Sequence, residues 1–282
     1  MIDNHIKAFI DNALTEDVGS GDYTSLAIIP ESLKGKAILY VKEECILAGV
    51  EIAKSIFHYL DNNSNFKTFI NDGTYCTGKK EIAFEVELSV QTLLKAERLI
   101  LNIMQRMSGI ATNTHQYVKA VEGTKAKILD TRKTTPGFRF FEKEAVRIGG
   151  GQNHRFGLFD MIMIKDNHID FAGGIKPAIE KTLYFLNKQN IRIPIEVEAR
   201  SLEDVKEIIS IGNIQRILLD NFTIENTSKA VNLIQNQFEV ESSGGITIDN
   251  VRQYALCGVD YISIGALTHH VKSIDLSLKA KF

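Results

Sequence analysis

No apolar run in the sequence approaches the roughly 18 residues that a membrane-spanning helix needs, so an integral helical membrane protein is not expected. Charge of one sign is not in excess either. Lys and Arg number 33 against 35 Asp and Glu, a net charge of −2, so no general basic surface argues for nucleic acid or an anionic membrane. Cysteine is scarce: Cys45, Cys76 and Cys257 are scattered, without a CxxC pair or a metal spacing. They read as reduced core residues of a cytoplasmic protein. His5, His58, His115, His269 and His270 form no metal-spaced cluster with any cysteine or histidine. A Walker loop is missing and residues 149–151 (GGG) do not fit GxGxxG, which disfavours ATP and dinucleotides. Met1 leads straight into IDNHIKAFIDNAL, which is amphipathic and acidic, not a signal peptide.

What is present fits a globular chain. Hydrophobic residues make up 44% and charged residues 24% of 282, enough for one large barrel or a barrel with a smaller domain. Ile6, Phe9, Ile10 and Leu14 predict an opening helix, and residues 16–24 (EDVGSGDYT) a connecting loop. Short strands are expected at 36–40 and 45–47, and a helix at 51–59. A strand follows in which Ile82, Phe84, Val86 and Leu88 face inward and Glu81, Ala83, Glu85 and Glu87 outward. This is an α+β, sandwich-like region with an antiparallel sheet. A long helix then starts near Thr92, with a break expected at Ser108 and Gly109. Arg106 lies at the edge of its apolar stripe, where pattern alone makes it a snorkelling surface residue.

Beyond Lys125 buried strands alternate with helical patterns. Strands are expected at 126–130, 161–165, 193–198, 216–220, 238–241 and 261–264, spaced as in consecutive βα units. The stretch 130–170, DTRKTTPGFRFFEKEAVRIGGGQNHRFGLFDMIMIKDNHID, organises the chain. It runs from strand to basic loop, helix, glycine loop and strand, and a basic residue stands at each strand end. Loops leaving the carboxyl ends of parallel strands hold the chemistry of α/β folds. There stand Arg132 and Lys133, Lys165, Glu198, Asp220, Glu241 and Gly265. Single charges of this kind are often caps or surface ion pairs, but a whole rim of them converges on one mouth and suits anions. Ser242, Ser243, Gly244 and Gly245, before a helix expected near Thr247, are either a turn or a phosphate cradle. Paired with Gly265 and Ala266 after the next strand, they match the phosphate site that many barrels build after their last two strands. His154 stands beside Arg155 on a loop, open to a binding or a structural role. His168 is either functional or a cap of the next segment.

DTRKTTPG, GGGQNHR and MIKDNHI, in this order and spacing, resemble quinolinate phosphoribosyltransferase. So do LTEDVGSGDYT, ERLILNIMQRMSGIAT, LLDNF, ESSGGI and VDYISIGALTHH, which extend the likeness over nearly the whole chain. The resemblance implies an N-terminal α+β domain over 1–111, with 268–282 packing back on it. It also implies an incomplete (β/α) barrel of the type II phosphoribosyltransferases over 112–267. Implied reactants are quinolinate and 5-phosphoribosyl-1-pyrophosphate, and implied products are nicotinate mononucleotide, pyrophosphate and CO2. Lys133, Lys165, Glu198 and Asp220 would be catalytic. Thr131, Arg132, His154 and Arg155 would bind substrate, as would the cradle residues Ser242, Ser243, Gly244, Gly245, Gly265, Ala266 and His269. Glu198 and Asp220 would hold Mg2+ through water. Arg106 would reach the neighbouring subunit's site, which implies at least a homodimer. Competing expectations are a nicotinate phosphoribosyltransferase or molybdate-operon paralogue, a Schiff-base aldolase using Lys165, and a binding barrel without turnover.

Overall fold

The computed structural model of the chain describes residues 4–281. Met1–Asp3 and Phe282, and with them the reading of the run out of Met1, lie outside the described residues. Helix α1 (Asn4–Val18) turns Ile6 and Ile10 inward. It outlasts the start of the loop expected at 16–24, since only residues 19–22 separate it from α2 (Tyr23–Ile28). Asp22, read as loop-forming, caps α2 by accepting the Ser25 N–H at 3.1 Å. Then come β1 (Lys34–Val41), β2 (Glu44–Ile46), α3 (Val50–Leu60), β3 (Asn65–Thr68), β4 (Tyr75–Thr77) and β5 (Glu81–Ser89). Along β5 the expected alternation fails at one step: Ala83 is fully buried and Ile82 is 39% exposed. The register of β1 against β5 shifts between Leu39 and Tyr40, and a bulge there moves side chains to the other face.

α4 (Val90–Ala120) runs through the expected break at Ser108 and Gly109. The Ser108 hydroxyl is engaged outside the helix, accepting the Ala48 N–H at 3.0 Å and donating to the Ala48 carbonyl at 3.2 Å. Gly109 is there for close approach: a Cβ would lie 2.2 Å from the Lys272 carbonyl oxygen.

All six strands expected beyond Lys125 form one parallel sheet. They are β6 (Lys127–Leu129), β7 (Ile162–Ile164), β8 (Ile195–Ala199), β9 (Arg216–Asp220), β10 (Glu239–Ser243) and β11 (Tyr261–Ser263), in the order β6-β11-β10-β9-β8-β7. Every residue of β8 is buried, as in a strand covered on both faces. With β6 and β7 as its edges, this is an incomplete (β/α) barrel. Helices α5 (Arg139–Ile148), α6 (Asp166–Ala172), α7 (Ile175–Gln189), α8 (Leu202–Ile211), α9 (Ile224–Ile234) and α10 (Val251–Leu256) alternate with the strands, and α11 (Ala266–His269) follows β11.

β12 (Leu276–Lys281) pairs antiparallel with β1, giving a second sheet ordered β12-β1-β5-β3, while β2 and β4 form a two-stranded antiparallel sheet of their own. The chain divides into two compact units. One is the described part of Met1–His115, Thr135–Gly150 and His270–Phe282, and the other is Gln116–Thr134 with Gly151–His269. These limits differ from ranges read along the sequence mainly at α5. Its Phe138 and Phe141 rings stand 5.6 Å and 5.0 Å from Phe9. Gly149 lets the segment close on α4, where a Cβ would come within 2.5 Å of the Ala111 carbonyl oxygen. A helix that follows a barrel strand in sequence thus belongs to the other unit.

Candidate active site at the carboxyl ends of the parallel strands

A cavity of about 690 Å3 opens where the parallel strands end. Thr131, Arg132 and Lys133 enter it after β6, His154 and Arg155 ahead of β7, and Lys165 from the end of β7. Glu198 and Asp220 come from β8 and β9, Ser243, Gly244 and Gly245 from the end of β10, and Gly265, Ala266 and His269 from beyond β11. In a parallel sheet, residues two apart on one strand share a face, and hydrogen-bonded neighbours carry that face sideways. Glu198 pairs in register with Leu218 and Ser243 with Asp220, which aligns the polar strand ends.

Two predicted residues are not in this lining. Ser242 lies on the opposite face of β10 from Glu241 and Ser243, buried, its Oγ without a hydrogen-bond partner among the described residues. Strand alternation corrects its assignment to the cradle. Arg106 belongs to the other unit, where Glu142 and Thr135 hold its guanidinium.

The basic loop is pinned by Asp130, which is fully buried. Its Oδ1 accepts the His154 N–H at 2.8 Å and its Oδ2 the Asn153 side-chain amide at 2.6 Å. Arg155 donates to the Met161 carbonyl at 3.2 Å, and burial together with the Arg132 charge lowers its pKa. Two guanidinium groups that repel each other in one cavity await an anion. Lys133 is fixed by its main chain: Thr131 Oγ1 accepts its N–H at 3.1 Å, and its carbonyl accepts the Thr268 hydroxyl at 2.8 Å. Lys165 Nζ stands 4.0 Å from Glu198 Oε2. Burial and then the charge of Asp220 raise Glu198, partly offset by Lys165. His168 is a cap, its Nδ1 accepting the Lys165 N–H at 3.0 Å.

The cradle is set by space. At Gly244, with φ +92°, a Cβ would lie 2.2 Å from Asn221 Oδ1. At Gly265 it would lie 2.9 Å from both Lys133 Cδ and His269 Nε2. Bare backbone at both positions lets Asn221, Lys133 and His269 pack directly against the loops that line the cavity. The expected helix start near Thr247 is corrected to Val251, because the Thr247 N–H is capped by Asn250 Oδ1 at 2.8 Å and a turn intervenes. The lining here is therefore loop backbone and not the end of a long helix.

Beneath the mouth lies a layer that strand ends alone did not reveal. His154 Nε2 stands 3.0 Å from Glu196 Oε2 and 3.4 Å from Glu241 Oε2. Arg216 donates to Glu241 at 2.8 Å and to Glu239 at 3.0 Å, and lies 3.9 Å over the Tyr261 ring. The signal was the two-residue repeat: Glu196 precedes Glu198 on one face of β8, and Arg216 precedes Asp220 on β9. Burial opposes charge on His154, but hydrogen bonds to the two glutamates outweigh it and raise its pKa to about 9. The Arg155 N–H, 2.6 Å from Nδ1, must move aside for a second ring proton, so the Nε2 proton is the fixed one. Burial and then the charge of Glu241 raise Glu196 to about 7. Burial also pushes Glu241 upward, but His154 and Arg216 leave it lowered. The ligand atoms of His154, Glu196 and Glu241 all lie within 4.8 Å of one another. Arg216 already counters the two acids, so an internal ion network describes the cluster better than a metal centre.

Comparison with known proteins agrees with this geometry. Residues 22–108 match the family model described as quinolinate phosphoribosyl transferase, N-terminal domain, and residues 110–279 the C-terminal domain. A chloroplastic nicotinate-nucleotide pyrophosphorylase [carboxylating] of Oryza sativa subsp. japonica is 44% identical over 97% of this chain and 77% of its own length. A probable nicotinate-nucleotide pyrophosphorylase [carboxylating] of Bacillus subtilis is 41% identical over 98% of this chain and 94% of its own. The solved nicotinate-nucleotide pyrophosphorylase of Francisella tularensis superposes with a TM-score of 0.90 at 37% identity, covering 100% of this chain and 98% of that one. With both domain models matched across an N-terminal α+β unit and an incomplete barrel whose mouth collects cations and glycines, the chain belongs to the quinolinate phosphoribosyltransferase family.

Proposed function

We propose that the protein transfers the phosphoribosyl group of 5-phosphoribosyl-1-pyrophosphate to quinolinate with decarboxylation, giving nicotinate mononucleotide, pyrophosphate and CO2 for NAD biosynthesis. The observation that carries this is one cavity with two kinds of anion receptor. Arg132, Lys133, Arg155 and Lys165 suit the carboxylates of a planar diacid and the pyrophosphate. Gly244, Gly245, Gly265 and Ser243 suit a terminal phosphate.

The ring nitrogen attacks the anomeric carbon of the sugar. The N–C bond forms as the C–O bond to pyrophosphate breaks, and the electron pair leaves with pyrophosphate. Positive charge gathers on the sugar, where Glu198 and Asp220 are placed to hold ribose hydroxyls and to stabilise it. The bond to the adjacent carboxylate then breaks as CO2 departs, and its electron pair stays on the ring carbon, where the neighbouring cationic nitrogen stabilises it. A proton from water takes its place on carbon. Fixed cations must therefore hold both carboxylates in place through the first step and release one in the second.

Glu198 and Asp220 are hard oxygen donors facing one cavity, their mutual repulsion only partly relieved by Lys165. That donor set fits Mg2+ bound through water, whose chemistry is to neutralise the pyrophosphate oxygens. The working unit is a homodimer in which each Arg106 serves the neighbour's cavity. Its support is the QRMSG segment at 105–109, within the ERLILNIMQRMSGIAT likeness, which implies an arginine that reaches the neighbouring subunit. A cytoplasmic location is part of the same reading and rests on the free thiols Cys45, Cys76 and Cys257. No described helix is long and apolar enough to cross a membrane. The aldolase reading loses ground because the Lys165 side chain is 48% exposed and paired with Glu198, not desolvated.

Product analysis with paired substrates tests the proposal. Quinolinate and phosphoribosyl pyrophosphate should give nicotinate mononucleotide, and nicotinate should be at least about 10^3-fold poorer in kcat/KM, since one clamp stays unpaired. Equal turnover of nicotinate would contradict the diacid specificity.

A further inference from the structure

Glu142 is a carboxylate with no exposed surface, set in the first turns of α5. Its Oε1 accepts from Arg106 Nε at 2.7 Å and from Nη2 at 2.6 Å, while its Oε2 accepts the Thr135 N–H at 3.2 Å. Arg106 Nη2 also reaches the Thr135 hydroxyl at 3.1 Å. The two partners are unequal: the Glu142 side chain is shut away from water, and that of Arg106 keeps 28% of its surface exposed. A buried acid that gives both oxygens to one arginine and one turn serves to hold them. The guanidinium is planar and rigid, so anchoring its Nε edge sets the direction of the whole fork. α5 is itself held firmly, by Phe138 and Phe141 against Phe9 and by Gly149 against α4.

We infer that Glu142, braced by Thr135, is a positioning residue that aims Arg106, and that it therefore serves the neighbouring subunit's cavity and not that of its own chain. The inference rests on the shared-site reading above. It adds the groups that aim the donated arginine, and it assigns α5 to the donating side although the sequence of α5 lies between two barrel strands.

Mixed dimers carrying two different tags, purified through both, test this. Glu142→Gln alone should lose at least tenfold in kcat/KM, mostly as a higher KM for quinolinate; wild-type kinetics would overturn the inference. Paired with Lys133→Ala, Glu142→Gln should recover about half of wild-type activity, since one mouth of the dimer is then intact. Paired with Arg106→Ala it should recover none, because every donated arm is defective. The opposite pattern, with rescue by Arg106→Ala and none by Lys133→Ala, would mean that Glu142 acts on its own mouth. The Arg106→Ala and Lys133→Ala pair controls the underlying reading. If that pair stays inactive, the shared site fails; if it recovers while Glu142→Gln with Lys133→Ala does not, only the role of Glu142 fails. Should Glu142→Gln not fold, Glu142→Asp keeps the buried charge but shortens its reach to Arg106 and to the Thr135 N–H, and it goes through the same pairings with the same expected pattern.

Discussion

The residues proposed to act stand where strands end, and two of them give a direct measurement. Lys133 and Lys165 stand at the carboxyl ends of β6 and β7 and face the cavity, not the core. Lys133→Ala and Lys165→Ala should each lose about 2 kcal/mol of transition-state stabilisation, roughly 30-fold in kcat/KM. Their melting temperatures should remain close to wild type. Near-normal rates in both would contradict the strand-end assignment, and a collapsed melting transition would make the lysines structural. Such residues were legible because a whole rim of charges stands at consecutive strand ends, where caps and surface ion pairs account for single charges only. Ser242 was misread because alternation along β10 sends it to the far face, and a run of four small residues hides which one points where. Glu196 and Arg216 were passed over for a related reason. A charge inside a strand shows its partner only when the neighbouring strands are in register, and Glu196 meets Arg216 across β8 and β9.

Between elements, the ion network ties β8, β9 and β10 to the loop of His154. Glu241→Ala would remove the buried acid that Arg216 and His154 share, leaving them Glu239 and Glu196, and should cost about 3 kcal/mol on denaturant unfolding. The network also sets a pH dependence. The ordinary pKa of 6.5 for His154 rises to about 9, and the 4.5 of Glu196 to about 7, so in both cases the native state binds the proton more tightly. The His154 contribution is complete below about 6.5 and is lost as pH rises through about 9. Glu196 lowers stability as pH rises from 4.5 to about 7. Glu196→Gln should flatten the fall of melting temperature across that lower window; curves parallel to wild type would show that the cluster does not titrate there. Elements themselves were legible where periodicity was long, as in the six barrel strands. The helix break at Ser108 and Gly109 was not, because what keeps α4 whole is the Ala48 backbone and the chain at Lys272, both distant in sequence.

At the scale of the molecule, the βα rhythm beyond Lys125 and the motifs strung along it were enough to read the partial barrel and its mouth. The crossing of α5 into the other unit was not readable, since it depends on Phe9 and Ala111 and on no feature of α5 alone. The central claim is that one mouth couples glycosyl transfer to loss of a carboxylate. It is tested most directly with quinolinate labelled in the carboxylate next to the ring nitrogen, supplied with phosphoribosyl pyrophosphate, by counting labelled CO2 against pyrophosphate. One CO2 should leave for each pyrophosphate, with both lost when a chelator removes divalent cations and both restored by Mg2+. Pyrophosphate released without an equal amount of CO2, or an undiminished rate in the chelator, would contradict it.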